Sequence, residues 1–150
     1  MLGFTKRTDY ALIALCYLAG QKEGRWVTSR EIAEEYDVPP ELLAKVLQRL
    51  GRKGIVNSHP GPSGGYSLGR DLGRISVAEV MMAIEGPLKV VSCLREREGG
   101  LPCVVLERCI VKDPILGIQR RLFDLLNSIA VAELSQPTLG ASYEAAHLYG

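Results

Sequence analysis

Residues 27–70, VTSREIAEEYDVPPELLAKVLQRLGRKGIVNSHPGPSGGYSLGR, constrain the fold more tightly than any other part of the chain. Thr28 stands three residues before Glu31. That is the spacing of a capping box, in which the hydroxyl accepts one backbone N–H and the carboxylate reaches back to another, so a helix is expected to start there. Ile32, Ala33 and Tyr36 give this helix one apolar face. Asp37 and Val38 break the pattern, and Pro39-Pro40 puts proline where a first helical turn has no N–H to lose. A second helix from Pro40 then carries Leu43, Val46, Leu47 and Leu50 at helical spacing. Glu41, Ala44, Lys45, Gln48 and Arg49 are left on its other surfaces, among them groups able to bond base edges or phosphates. Gly54 stops the helix, residues 55–58 and 66–68 read as short strands, and Gly61-Pro62-Ser63-Gly64-Gly65 is the turn between them. Two short helices, a basic exit and a glycine-rich hairpin in that order are the layout of a winged helix-turn-helix. The partner it implies is double-stranded DNA.

Charge supports this locally. The whole chain carries a net charge of only +1, yet residues 45–74 hold six basic side chains (Lys45, Arg49, Arg52, Lys53, Arg70, Arg74) against the single acid Asp71. Such a concentration is what phosphate neutralisation requires. With 150 residues, 47% of them apolar and 23% charged, the chain has ordinary globular composition and room for one core. Residues 10–19, YALIALCYLA, follow Lys6 and Arg7 in the manner of a signal peptide, but Asp9 interrupts the start and no small-residue cleavage site is evident. They are also too few to span a bilayer. The expectation is a buried helix capped by Thr5, no membrane association, and a cytoplasmic protein whose cysteines stay reduced.

Beyond the hairpin, Ser76 and Glu79 make another capping box, and Val77, Val80, Ala83 and Ile84 form the stripe of a short helix ending at Gly86-Pro87. Asp113-Pro114 then reads as an N-cap followed by proline. Ile115, Ile118, Leu122, Leu125, Ile129 and Ala132 follow at spacings of three and four. A helix over 114–135 is about 33 Å long at 1.5 Å per residue. That exceeds what a small winged domain needs, so it is expected to serve dimerisation, and a two-fold dimer suits paired major grooves. The fold class is therefore mainly α with a small β-hairpin wing and a long C-terminal dimerisation helix. The divisions are 1–86 for DNA binding, 87–113 for a cysteine-containing sensor loop, 114–135 for the dimer helix and 136–150 for a flexible tail.

Cys93, Cys103 and Cys109 all fall in that loop, with nine and then five residues between them. This is neither a paired C-x-x-C zinc pattern nor a ferredoxin spacing. Iron-sulfur clusters and zinc both want thiolates, whereas unligated thiols are ordinary small hydrophobes. Cys16, inside the first apolar helix, is read as packing.

Together these residues resemble the Rrf-two family of bacterial transcription regulators. The resemblance rests on the opening Thr5-Lys6-Arg7-Thr8-Asp9-Tyr10-Ala11-Leu12, the Gly-Pro-Ser-Gly-Gly-Tyr-Ser-Leu-Gly hairpin, the cysteine loop and the last long helix, and runs over residues 1–135. It implies a homodimer that inserts the helix from Pro40 into the major groove and the wing into the minor groove. The DNA contacts it implies, with the bottom-up reading, are Lys6, Arg7, Thr28, Ser29, Arg30, Pro40, Glu41, Ala44, Lys45, Gln48, Arg49, His59, Gly61, Ser63, Gly64, Gly65 and Tyr66. It also implies an iron-sulfur cluster of two or four irons on Cys93, Cys103 and Cys109. Some relatives place a histidine three residues after the last cysteine. Here Lys112 stands there, and a protonated amine cannot ligate. Others use an aspartate at the start of the first helix, donated across the dimer, which matches Asp9; its competing reading is a first-turn carboxylate on the helix dipole.

The first cysteine interval is longer than the five residues common in the family. An arginine often found just before the wing's Gly-Pro is replaced by His59-Pro60. The function expected is a regulator whose operator affinity is gated by the cluster in response to nitric oxide, oxygen, redox state or cluster supply. The alternatives are a cluster-free regulator with oxidisable Cys103 and Cys109, and a winged protein-interaction scaffold. Catalysis is not expected, because His59 and His147 are the chain's two histidines and neither has a partner motif.

Overall fold

The computed structural model describes residues 4–90 and 103–136. Cys93, the first part of the cysteine loop and the tail expected beyond Gln136 lie outside the described residues.

Helix α1, Lys6–Ala19, buries Thr8, Ala11, Ala14, Leu15 and Leu18 on one side. Thr5 occupies its N-cap with extended backbone, but its hydroxyl makes no cap. Instead Thr5 donates to the Glu85 carboxylate, which Thr8 Oγ1 also reaches at 3.2 Å. A hydrogen bond to an ionised acceptor outweighs one to a neutral amide, so the expected cap gives way to a tie between two helices.

Helix α2, Ser29–Glu35, starts where Thr28 Oγ1 accepts from the Glu31 amide at 3.1 Å. The return half of the box is absent. The Glu31 carboxylate lies 2.5 Å from an Arg25 guanidinium nitrogen and accepts from the Tyr17 hydroxyl at 3.0 Å. The chain then turns through Asp37 at φ 51, a left-handed conformation that aspartate tolerates better than branched residues.

Helix α3, Pro40–Arg52, opens on proline and buries Leu43, Val46, Leu47 and Leu50. Strands β1, Val56–His59, and β2, Gly65–Leu68, follow as an antiparallel hairpin in the register Val56↔Leu68 to His59↔Gly65. Val27 bridges Tyr66 through two backbone bonds of 2.9 and 2.7 Å, which moors the wing to the segment before α2. Gly65 is required at that mooring, because a Cβ there would sit 2.5 Å from the Val27 carbonyl oxygen.

A 3-10 turn, Leu72–Arg74, leads to helix α4, Val77–Glu85, capped by Ser76 Oγ accepting from the Glu79 amide at 3.1 Å. Glu79 pairs with Arg70 rather than closing the box. Gly86, at φ 83, ends the helix. A second 3-10 turn, Leu106–Arg108, precedes helix α5, Lys112–Ser128, which begins one residue before Asp113 rather than with Asp113 as its cap.

The long helix expected over 114–135 is two elements. At Ile129 the backbone becomes extended, and Ser76 and Ala130 form a bridge in which Val77 N–H donates to Ile129 O at 2.9 Å and Val131 N–H to Ile75 O at 2.8 Å. Helix α6, Val131–Leu134, follows, with Val131 fully buried. An unbroken helix would have left Val131, Ile129 and Ala132 outside a core that they instead close. The central core joins Leu15 of α1, Ile32 of α2, Leu43, Leu47 and Leu50 of α3, Ile55, Ile75, Ile84 of α4 and Val131. No described helix is long and apolar enough to cross a membrane.

Candidate nucleic-acid interface and thiol segment

Because Leu43, Val46, Leu47 and Leu50 anchor α3 inward, its other side is turned to solvent. Pro40, Glu41, Lys45, Gln48 and Arg49 are exposed and Ala44 is half-exposed. Arg7, from the first turn of α1, lines one cleft of ≈ 230 Å³ together with Leu42, Lys45, Val46 and Arg49 of α3. Three cations thus converge where α1 meets α3. Lys6 is exposed next to Arg7. Arg49 is not wholly committed to solvent, since its Nη1 donates to the Ile84 carbonyl at 2.5 Å and satisfies an orphan acceptor at the end of α4.

The wing supplies a second cleft of ≈ 440 Å³, facing the start of α2. Thr28 and Ser29 line it from one side and Ser58, His59, Gly61, Gly64, Gly65 and Tyr66 from the other. Ser63, at the hairpin tip, is exposed, and Arg30 is exposed on α2 while paired with Glu34 at 3.0 Å. Every residue expected to touch DNA therefore falls on α1, α2 or its cap Thr28, α3 or the wing, with Gly64 the one that is buried. The sequence reading gave no role to Trp26. Its indole stacks on His59 with ring centroids 4.9 Å apart and planes at 27°. No spacing rule signals such a pair, which the hairpin register and the Val27 bridge create.

Cys103 and Cys109 flank the 3-10 turn Leu106–Arg108 as half-buried free thiols. Thiols suit iron-sulfur chemistry, and the described residues supply two of the three expected. Among the described residues no three His, Cys, Asp or Glu side chains gather as a metal site, and Asp9 stands exposed in the first turn of α1. Cys16 lies against the core, and burial pushes its thiol above the ordinary range, in keeping with a packing role.

A helix-turn-helix with a basic outward helix, extended by a moored hairpin, defines the winged-helix class of DNA-binding regulators. The family model described as "Iron-dependent Transcriptional regulator" matches residues 4–137. The chain belongs to this family, Rrf2. It is 33% identical over 130 residues to the HTH-type transcriptional regulator IscR of Xenorhabdus nematophila, covering 87% of this chain and 77% of that protein. Its fold matches that of T. potens IscR with a TM-score of 0.65 at 23% identity, over 99% of this chain and 94% of the other. It also matches CymR, the global cysteine regulator of B. subtilis, with a TM-score of 0.66 at 20% identity, over 90% and 97% of the two chains.

Proposed function

We propose that the protein is a homodimeric transcription regulator that reads an operator with α3 and the wing, and whose operator affinity is gated by an iron-sulfur cluster. The observation that carries the DNA-binding part is the convergence of Arg7, Lys45 and Arg49 on one cleft, complemented by a wing whose own cleft offers hydroxyl and glycine-backbone groups. In this reading Lys6, Arg7, Arg30, Lys45 and Arg49 neutralise phosphates. Glu41, Ala44 and Gln48 face base edges, and Thr28, Ser29, His59, Gly61, Ser63, Gly64, Gly65 and Tyr66 follow the backbone and minor groove.

Cys93, Cys103 and Cys109 would hold the cluster, with Asp9 of the partner subunit as an exchangeable oxygen ligand. When bound, the cluster would supply a redox-sensitive crosslink between the cysteine segment and α1 of the partner subunit. The chain's own residues give that crosslink a route to DNA. The end of α4 receives Thr5 and Thr8 of α1 at Glu85 and Arg49 of α3 at Ile84, and the cysteine segment leaves from this same end. A change in how that segment sits is thereby passed to the two helices that carry the cationic cleft. Ile118 and Leu125 of α5, seven residues apart and both more than half exposed, offer the dimer seam.

A second reading, direct oxidation of Cys103 and Cys109 without a cluster, is favoured by their being half-exposed free thiols on either side of one turn. The test is anaerobic purification followed by a visible absorption spectrum and assay of iron and acid-labile sulfide per chain. Brown protein containing both, with loss of both in Cys103→Ala and Cys109→Ala, is the expected result. Colourless, iron-free protein after reconstitution would replace the cluster by the thiol mechanism.

A further inference from the structure

The wing carries no formally charged side chain. Residues 56–68, VNSHPGPSGGYSL, contain no lysine, arginine, aspartate or glutamate, so His59 is the one side chain through which this hairpin can carry positive charge. Its place is fixed. His59 ends β1 opposite Gly65, whose lack of a side chain leaves the imidazole free to lie on Trp26, and Trp26 directly precedes the Val27–Tyr66 mooring. An indole face accepts an imidazolium as readily as an imidazole, since a cation over the ring is attracted by its quadrupole. The stack therefore holds His59 at the cleft mouth in either protonation state.

We propose that His59 makes DNA binding proton-linked: as an imidazolium on Trp26 it is the wing's cation for a backbone phosphate, and as neutral imidazole it leaves the wing without one. This rests on the DNA-binding reading above. Of the residues lining the wing cleft, Tyr66 is the other titratable group and no carboxylate is among them. The charged side chains on the neighbouring segments are Lys22, Glu23 and Arg25 before Trp26, and Arg30, Glu31, Glu34 and Glu35 on α2. Of these, Arg25 holds Glu31 and Arg30 holds Glu34. A phosphate entering the cleft thus meets hydroxyls, glycine backbone and the imidazole. Histidine is the residue type whose ordinary charge change falls between about pH 5 and pH 8, so that is the range in which the linkage is to be sought. The sign follows from phosphate favouring the charged ring: binding takes up a proton, and affinity falls as pH rises.

Trp26 is the chain's only tryptophan, so its emission reports the stack without DNA. Emission of the full-length protein and its affinity for a labelled mixed-sequence duplex are measured from about pH 5 to pH 8. Wild type, His59→Gln and His147→Gln are compared. The expected result is an emission step in wild type and His147→Gln that is missing in His59→Gln. Over the same range the affinity of wild type weakens roughly fivefold, and its salt dependence loses about one phosphate contact. His59→Gln is flat in both. Emission that does not depend on His59 overturns the stack, and an equal pH dependence of affinity in wild type and His59→Gln overturns the linkage. Absence of duplex binding at every pH overturns the regulator reading and the linkage together, and a persisting emission step then locates the failure in the reading of DNA binding rather than in the His59–Trp26 pair.

Discussion

Asp37 shows how much of the helix-turn-helix geometry rests on single residues. At φ 51 it turns the chain from α2 into Val38, which is buried, and Pro39. A β-branched side chain crowds its own carbonyl there. Asp37→Val is expected to lose about 1–2 kcal/mol of stability in urea unfolding, with Asp37→Gly costing far less. Leu47, fully buried in α3, is a core position of the ordinary kind, and Leu47→Ala should cost about 2–5 kcal/mol. Cys16 gives stability a pH dependence. Burial favours its neutral thiol in the folded chain, so its contribution is complete below the pH at which an unfolded thiol ionises and is lost as pH rises through the raised folded value. Thermal stability measured across the range above about pH 8.5 should therefore fall more steeply for wild type than for Cys16→Ala, and parallel curves would contradict this burial effect.

At the level of elements, periodicity identified α3 and the stripe of α4 because apolar side chains at helical spacing have to face something. It did not identify what covers them. Ile129 and Ala132 continue the α5 pattern in sequence, yet the hydrogen bonds of Ile75, Val77, Ile129 and Val131 end the helix at Ser128 and fold the remainder into the core. Only the three-dimensional position of the Ser76 segment distinguishes the two outcomes. Capping boxes were half legible for the same reason. Thr28 and Ser76 cap as their spacing indicates, while Glu31 and Glu79 answer to Arg25, Tyr17 and Arg70, partners that local sequence rules ignore. Two predictions belong to this scale. Gly65→Ala should detach the wing from Val27 and weaken duplex binding while leaving the helical far-ultraviolet signal in place. If α5 forms the proposed dimer seam, paired Ile118→Asp and Leu125→Asp changes should shift sedimentation from dimer to monomer, because charges inserted into an apolar seam are left without partners.

In the proposed mechanism the molecule as a whole joins its DNA-binding surface to the cysteine segment through one helix end, that of α4. Its basic cluster was readable from composition along residues 45–74, but the addition of Arg7 from α1 was not readable in that way, since it depends on how α1 packs across α3. The diversion of Arg49 to Ile84 likewise arises only from tertiary contact, and in the proposed mechanism it is the link from the site to the segment that carries Cys103 and Cys109. The most direct measurement of that link is the anisotropy of a labelled duplex obtained by binding selection with the protein, titrated at several salt concentrations with anaerobically purified protein and with the Cys103→Ala, Cys109→Ala variant. The account predicts salt-dependent binding by both and a difference in affinity between them of about fivefold or more. Equal affinities at every salt concentration would contradict gating by the cysteine segment.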